Sequence, residues 1–217
     1  MAIESLLPPR YLDLPREDIL RMVPADGQII GSIGCSRGAT EQVLVKQGRE
    51  VHGVDVDADA IDVAKTRLSS ARVVEPDELR PFGDMKLDGL ILADVIEHIP
   101  RAWEFLRQFA MSVKPGGWVI ISVPNMRSPR VFSKLFLKGD WEEAPMGIFD
   151  STHLQVMTRR RLLRWCDGAG LVPERWFDHP GPFKWERRVN RICDLLSLRL
   201  LHEFFTFEHQ VVCRKAL

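Results

Sequence analysis

With 217 residues, 45% of them hydrophobic and 28% charged, the chain has an ordinary globular composition. Its length suits one domain with a full core, at the usual ~100–200 residues per domain. The 30 Lys and Arg balance 30 Asp and Glu, which excludes a global field favouring nucleic acid or an anionic membrane and leaves only local patches.

No apolar run approaches the ~20 residues of a membrane span, and the N-terminus lacks the basic-then-apolar order of a secretory signal. Cys35, Cys166, Cys193 and Cys213 show no CxxC pair or zinc-type spacing. A cytoplasmic protein with reduced thiols is expected, three of them in the core. No nucleic-acid partner and no metal-ligand set is singled out, and the oligomeric state is left open.

In chain order, 1–14 read as a lead-in in which Pro8-Pro9 block helix. Pro15 opens a short helix with Ile19-Leu20 and Met22-Val23 facing inward, stopped by Pro24. A first strand is predicted at 28–34, a helix at 39–47 ending on Gly48, and a second strand at 50–55. A helix at 58–68 and a short strand at 71–74 follow, then a loop to the near-continuous apolar strand 87–93, of the kind buried on both faces. Pro100 opens a helix carrying Trp103, Leu106 and Phe109. Pro115-Gly116-Gly117 predicts a turn before a fifth strand at 118–123. The long connection 126–157 predicts a lid or binding loop. After it come a helix near 159–168, a strand at 171–177, a helix at 185–204 and a closing strand at 206–214. Strands alternating with helices at this spacing mean an α/β, doubly wound, mostly parallel sheet.

Three clusters carry chemistry. Gly34 and Gly38 flank Cys35-Ser36-Arg37 at the end of the first strand, with Gly31 inside it, and Asp55 ends the second. Such a turn allows close approach of a ligand to backbone N–H groups, and an acid at that place accepts hydrogen bonds from ribose hydroxyls. The spacing suits a nucleoside–amino acid ligand better than a diphosphate; a plain strand–helix turn with a solvated Asp is the alternative. Asp94 to His98 lie at the carboxyl edge of the fourth strand, where an acid and an imidazole serve binding or proton transfer. The bland alternative is that Glu97 and His98 shape the loop before Pro100. Asn125, just past Pro124, is placed to orient a polar group of a ligand, and Asp150 stands near His153, which reads either as a base or as a packing residue. The last helix carries Arg187, Arg188, Arg191 and Arg199 beside Val189, Ile192, Leu195, Leu196 and Leu200. A merely solvated face is the usual case; contact with an acidic substrate, partner or membrane surface is the other.

Taken together, these residues resemble the class I S-adenosylmethionine-dependent methyltransferases, and more narrowly the bacterial branch related to the methyltransferases of ubiquinone and cell-surface polysaccharide pathways. The resemblance spans roughly 28–172. It rests on Ile33-Gly34-Cys35-Ser36-Arg37-Gly38, Gly53-Val54-Asp55, the DVLEH-like run Asp94-Val95-Ile96-Glu97-His98, the KPGG turn at 114–117 and the SVPN at 122–125. In the lid it rests on Gly139-Asp140-Trp141, on 147–154, and on Thr158 after them.

The resemblance implies a seven-stranded Rossmann-like sheet with an antiparallel last strand and a lid after the fifth strand. One methyltransferase domain over 1–217 would comprise an N-terminal cover (1–27), a cofactor-binding half (28–123), a lid and acceptor segment (124–158) and C-terminal helices and strands (159–217). It places the methionine part of S-adenosylmethionine on Gly34, Cys35 and Gly38, the ribose on Asp55, and adenine between Val56 and the loop carrying Asp77 and Glu78. Asp94 would line the sulfonium end, Asn125, Trp141 and Asp150 the acceptor, and His98 or His153 would be the base. O-methylation of a sugar, phenol or lipid-linked intermediate is the expected reaction, and a catalytically silent cofactor-binding or interaction domain the alternative. An NAD-dependent enzyme of the same fold is disfavoured by the absent third glycine of its fingerprint. Three departures stand out: Ser32 where the family usually has Asp, Ser36 for the middle glycine of its GxGxG turn, and Gln155-Val156-Met157 where it usually has RFF.

Overall fold

The computed structural model describes residues 13–181 and 183–217, so most of the expected lead-in lies outside the described residues. β1 (Ile29–Ile33), β2 (Glu50–Asp55), β3 (Ser70–Val73), β4 (Leu87–Ala93), β5 (Val113–Pro124), β6 (Leu171–His179) and β7 (Glu208–Lys215) form one seven-stranded sheet in the order β3-β2-β1-β4-β5-β7-β6. β7 runs antiparallel to both its neighbours, and the other pairings are parallel. The order reverses between β1 and β4, which opens a crevice at the carboxyl ends of those strands.

Helices cover both faces. On one side α4 (Ala102–Ser112) and α6 (Arg159–Gly168) bury Phe105, Phe109 and Leu162 against Leu90, Leu92, Val119 and Ile121. On the other, α1 (Glu17–Leu20) and α2 (Ala39–Lys46) meet the sheet, with Ile19, Met22 and Leu44 against Ile30, Ile91, Ile120 and Trp118. Ile19 and Met22 face inward as their spacing predicts, while Leu20 and Val23 are only partly covered. α3 (Ala58–Ala64) is capped by the Asp57 carboxylate, which accepts from Asp59 N and Ala60 N at 2.9 and 3.0 Å. Gly89 makes room for the Trp118 ring: a Cβ there would lie 2.2 Å from it. None of the described helices is long and apolar enough to cross a membrane.

Some boundaries differ from expectation. β5 is assigned straight through Pro115-Gly116-Gly117, and its register against β4 jumps from Leu87↔Val113 to Gly89↔Trp118. The predicted turn is therefore a bulge inside one long strand. α3 stops short of the predicted end, and the last helix, α7 (Lys184–Leu196), breaks off where Leu198 and Arg199 take positive φ angles of 51° and 62°. The connection 126–157 is partly ordered. It contains α5 (Pro129–Phe132), a wider π-type turn at Ser133–Leu137 and a bridge between Ala144 and Asp150.

Candidate active site

The turn after β1 is set by backbone. Gly34 N and Cys35 N both donate to Val54 O, at 2.8 and 3.2 Å, which clamps the turn against the end of β2. Gly34, Ser36 and Gly38 all have positive φ (71°, 45°, 69°), and a Cβ on Gly34 would sit 2.6 Å from Val95 Cγ2. Glycine at 34 therefore meets two demands at once, a left-handed backbone and close packing on the Asp94-Val95 turn. Asp55 faces this loop: one carboxylate oxygen accepts from Ser36 N at 2.8 Å and the other from Asp57 N at 3.0 Å. Each oxygen keeps a further lone pair for a ligand hydroxyl. Val56, next in the chain, is 58% exposed at the lip of the crevice, an apolar shelf of the kind a flat ring covers. Asp77 is exposed and Glu78 pairs with Arg72 at 2.5 Å, so the two acids lie on the loop beyond β3. Cys35 is buried, and burial pushes its thiol pKa up, so it packs rather than reacts.

Beneath the turn lies a residue that sequence reasoning missed. Ser32 Oγ donates to Glu41 Oε1 at 2.7 Å, and both side chains are buried. The strand thus supplies a hydroxyl and α2 the carboxyl group that accepts its proton. Burial raises Glu41 to about 7.

The crevice end at Asp94 is walled by charge. Asp94 itself takes a positive φ of 54° and accepts from Ser122 Oγ and from Arg16 Nη1, both at 2.5 Å. Arg16 also meets Asp18 at 2.7 Å and Glu208 at 2.9 Å, and its backbone N donates to Thr40 Oγ1 at the start of α2. One arginine from the N-terminal cover thus straps α2, β4 and β7 together across the crevice. Burial, then the charge of Asp94, raises Glu208 to about 7; burial opposes but Arg16 outweighs it at Asp18, which falls to about 2. Neither Arg16 nor Glu208 carried a motif that could have disclosed this.

At the mouth, a single turn of helix (Ile96–His98) after β4 meets the 126–157 connection. Glu97 O accepts from Leu154 N and Gln155 N at 2.8 and 3.0 Å, tying the end of that connection to the sheet edge. His98 Nδ1 lies 2.8 Å from Thr152 Oγ1, which donates to Asp150 Oδ1 at 2.7 Å. The His98 and His153 rings are 4.8 Å apart, and His153 Nε2 lies 4.0 Å from Glu97 Oε1. Glu97 is 1% exposed and burial raises its pKa well above the ordinary carboxyl value. Burial, then the neighbouring His98, lowers that of His153. Glu97 Oε2 and His153 Nδ1 are buried without a hydrogen-bond partner among the described residues. Donor atoms of Glu97, His98 and His153 all lie within 4.8 Å of one another, so the trio could pass a proton or hold a divalent cation. Sequence reasoning did not single out this set as a metal site.

The structure therefore brings His98, His153 and Asp150 together with Glu97 and Thr152. Trp141 instead packs edge-on against Phe149 at 5.1 Å inside the lid. Asn125 is fully buried: its amide donates to Glu203 O and Thr206 O at 2.6 and 2.7 Å, and its Oδ1 accepts from Arg127 N. It braces the loop before β7 and offers no free polar atom to a ligand.

This sheet order, with its antiparallel β7 and flanking helices, matches the class I methyltransferase fold. A methyltransferase-domain family model matches residues 11–175. The chain belongs to that family, the S-adenosylmethionine-dependent methyltransferases, and S-adenosylmethionine is its methyl donor. It is similar to the ubiquinone biosynthesis O-methyltransferase of Leptothrix cholodnii, 24% identical over 67% of this chain and 65% of that protein. The protein of the same name from Alkalilimnicola ehrlichii is 28% identical over 68% of this chain and 62% of its own length. The chain thus spans somewhat under two thirds of these relatives. Among solved structures, a methyltransferase from Archaeoglobus fulgidus superposes with a TM-score of 0.65 at 18% identity, covering 87% of this chain and 86% of that one.

Proposed function

We propose that this chain transfers a methyl group to a hydroxyl of a small acceptor: a sugar, a phenol or a lipid-linked intermediate. The observation that carries the reading is the Glu97–His98–His153 cluster, in which Glu97, three residues beyond Asp94, is buried and both histidines are half-buried, with an unpartnered nitrogen and oxygen among the described residues. The cofactor supplies a methyl group already activated on a sulfonium. The chain has to bind it, align the acceptor, exclude water and take a proton.

In this reading Gly34, Cys35 and Gly38 hold the methionine moiety, Asp55 the ribose and Val56 the adenine, with Asp77 or Glu78 at its amino group and Asp94 beside the sulfonium. The residues fit that ligand: the turn is one a Cβ would fill, and Asp55 keeps acceptor capacity. His153, its pKa lowered by burial, is neutral at pH 7 and accepts the hydroxyl proton as the carbon–oxygen bond forms. His98 is oriented by Thr152 and Asp150, so lid closure and base placement are one event. Trp141 gives the lid an aromatic surface for the acceptor. A lipid-linked acceptor is the class favoured by the apolar outer side of α7, since a surface of that kind suits a bilayer.

The same trio supports a second reading, in which a divalent cation held by Glu97, His98 and His153 lowers the pKa of the acceptor hydroxyl. Calorimetry with S-adenosylmethionine, followed by product formation over a panel of phenols and sugars, tests the main reading. Binding of the cofactor with no turnover on any of them, with or without magnesium or zinc, would favour a silent cofactor-binding domain instead.

A further inference from the structure

The last helix is inside out. Surface helices bury an apolar stripe and expose a polar one, but α7 does the reverse. Its only acids, Glu186 and Asp194, are both buried. Glu186 accepts from Arg130 Nε at 2.7 Å, Asp194 Oδ2 lies 2.9 Å from His202 Nδ1, and Asn190 donates to Pro180 O at 2.5 Å. The helix is held down by its polar edge. Facing out are Trp185 (63% exposed), Val189, Ile192 and Leu196 (78%), spaced so that they share one stripe. Leu198, Leu200 and Leu201 extend that apolar surface beyond the helix, with Leu200 85% exposed. Along its edge lie Lys184, Arg188 and Arg191, all exposed.

At the end of this stripe the chain forms a cavity of about 440 Å³ whose lining includes Arg127, Arg159, Arg160 and Arg199, one carboxylate, that of Glu203, and Leu200 and Leu201. Arg127 is paired with Glu203 at 2.7 Å and Arg159 with Asp178 at 3.3 Å. No ion pair is formed by Arg160 among the described residues, and Arg199 stands 3.8 Å from its nearest carboxylate, that of Asp194. The cavity also lies where α6 begins, so the positive end of that helix adds to the arginines. Four arginines against one glutamate converge there, beside leucines left exposed among the described residues.

We propose that α7 and the turn after it dock on an anionic lipid bilayer, with the arginine cavity receiving a lipid phosphate. The charge pattern selects this occupant. With 30 basic and 30 acidic residues the chain has no net field, yet the outer side of α7 is basic and apolar with no exposed acid. A second copy docked face to face would set Lys184, Arg188 and Arg191 against their own kind, whereas anionic headgroups neutralise them and the acyl boundary takes the Trp185 stripe. The inference stands on α7 and the cavity alone and does not depend on the methyl-transfer chemistry.

The test is flotation of the full chain with phosphatidylcholine vesicles, with and without phosphatidylglycerol. Binding to the anionic vesicles should be at least about tenfold tighter and should weaken as salt is raised. The double variant Trp185→Ser, Ile192→Ser should lose about tenfold in vesicle affinity with its thermal melt unchanged. Arg160→Glu should lose the preference for phosphatidylglycerol while keeping the weak binding to phosphatidylcholine. Equal binding to both vesicles, or none to either, overturns the proposal. So does a concentration-dependent dimer in sedimentation that Ile192→Asp abolishes, which would make a second copy the occupant. Inorganic phosphate titrated by calorimetry separates the sources: saturation of the cavity at micromolar phosphate, with no vesicle binding, would make it a site for a free anion.

Discussion

The two halves of the crevice are built by opposite means. The proposed cofactor side is a backbone structure, in which Gly34 N and Cys35 N bond to Val54 O and Asp55 receives Ser36 N and Asp57 N. The proposed acceptor side is a side-chain structure, in which His98 meets Thr152, 54 residues away in the 126–157 connection, and through it Asp150. The first kind of site needs only a few neighbouring residues with the right conformational freedom. The second depends on a distant segment, held to Glu97 O by Leu154 N and Gln155 N. Recognition of a constant ligand can thus be rigid and local, while the chemistry on a variable acceptor is carried by a segment that can change.

The largest expected effect falls on the acceptor side. His153→Ala should lower kcat by about 10²–10⁴-fold, the usual contribution of a positioned base, and leave the S-adenosylhomocysteine Kd within about twofold. The wild-type rate should fall on the acid side of its pH profile as His153 protonates, below the ordinary imidazole value. A variant that retains full turnover would remove His153 from the chemistry and weaken the contrast between the halves.

On the cofactor side, Gly34→Ala should break the turn by adding a Cβ 2.6 Å from Val95 Cγ2 at a left-handed φ. A loss of about 2–5 kcal/mol in stability or cofactor binding is expected from overpacking plus backbone strain, read by urea denaturation and calorimetry. Asn125→Ala sharpens the comparison, because this residue stands at the acceptor edge but is bonded wholly to backbone. It should cost about 2–3 kcal/mol of stability, at roughly 1 kcal/mol for each of its hydrogen bonds, with KM for the acceptor unchanged.

The smallest effect is a pH signature under the glycine turn. Glu41 is raised to about 7 in the fold, so the folded state holds its proton more tightly than the unfolded chain does. Its contribution is full below the unfolded carboxyl value and is lost as pH rises toward 7. Glu41→Gln, which keeps an acceptor for Ser32, should therefore stabilise the protein by about 1–3 kcal/mol at pH 8 and by little at pH 4. Urea midpoints at the two pH values check the difference.

What could be read in the sequence follows the same division. β2 and β4 occupy the predicted residues because their patterns are local: alternation or an apolar run with a clean break at each end. α6 likewise runs from Arg159 to Gly168, as predicted, behind a Thr158 cap that accepts from Arg161 N. The glycine turn and Asp55 were legible for the same reason. Arg16 was not, since its partners Asp94 and Glu208 lie 78 and 192 residues away and no spacing rule links them. Glu41 reads as an acid in the first turn of a helix, and only the fold shows that it serves Ser32. For Asn125 the position was legible but not the environment: an amide past a strand end looks the same whether it faces a ligand or the backbone of the loop before β7. The outward apolar stripe of α7 was visible as residues but not as a direction, because periodicity identifies a face and not which way it points.

The central claim is that the Gly34–Gly38 turn and Asp55 form the seat of the methyl donor. Isothermal titration of the wild-type chain and of Asp55→Ala with S-adenosylhomocysteine tests it most directly. One-to-one binding by the wild type, weakened about 100-fold or more by loss of the carboxylate, is the expected result, since two hydrogen bonds to a charged acceptor are removed. Binding of equal strength by both proteins, or none by the wild type at millimolar ligand, would contradict it.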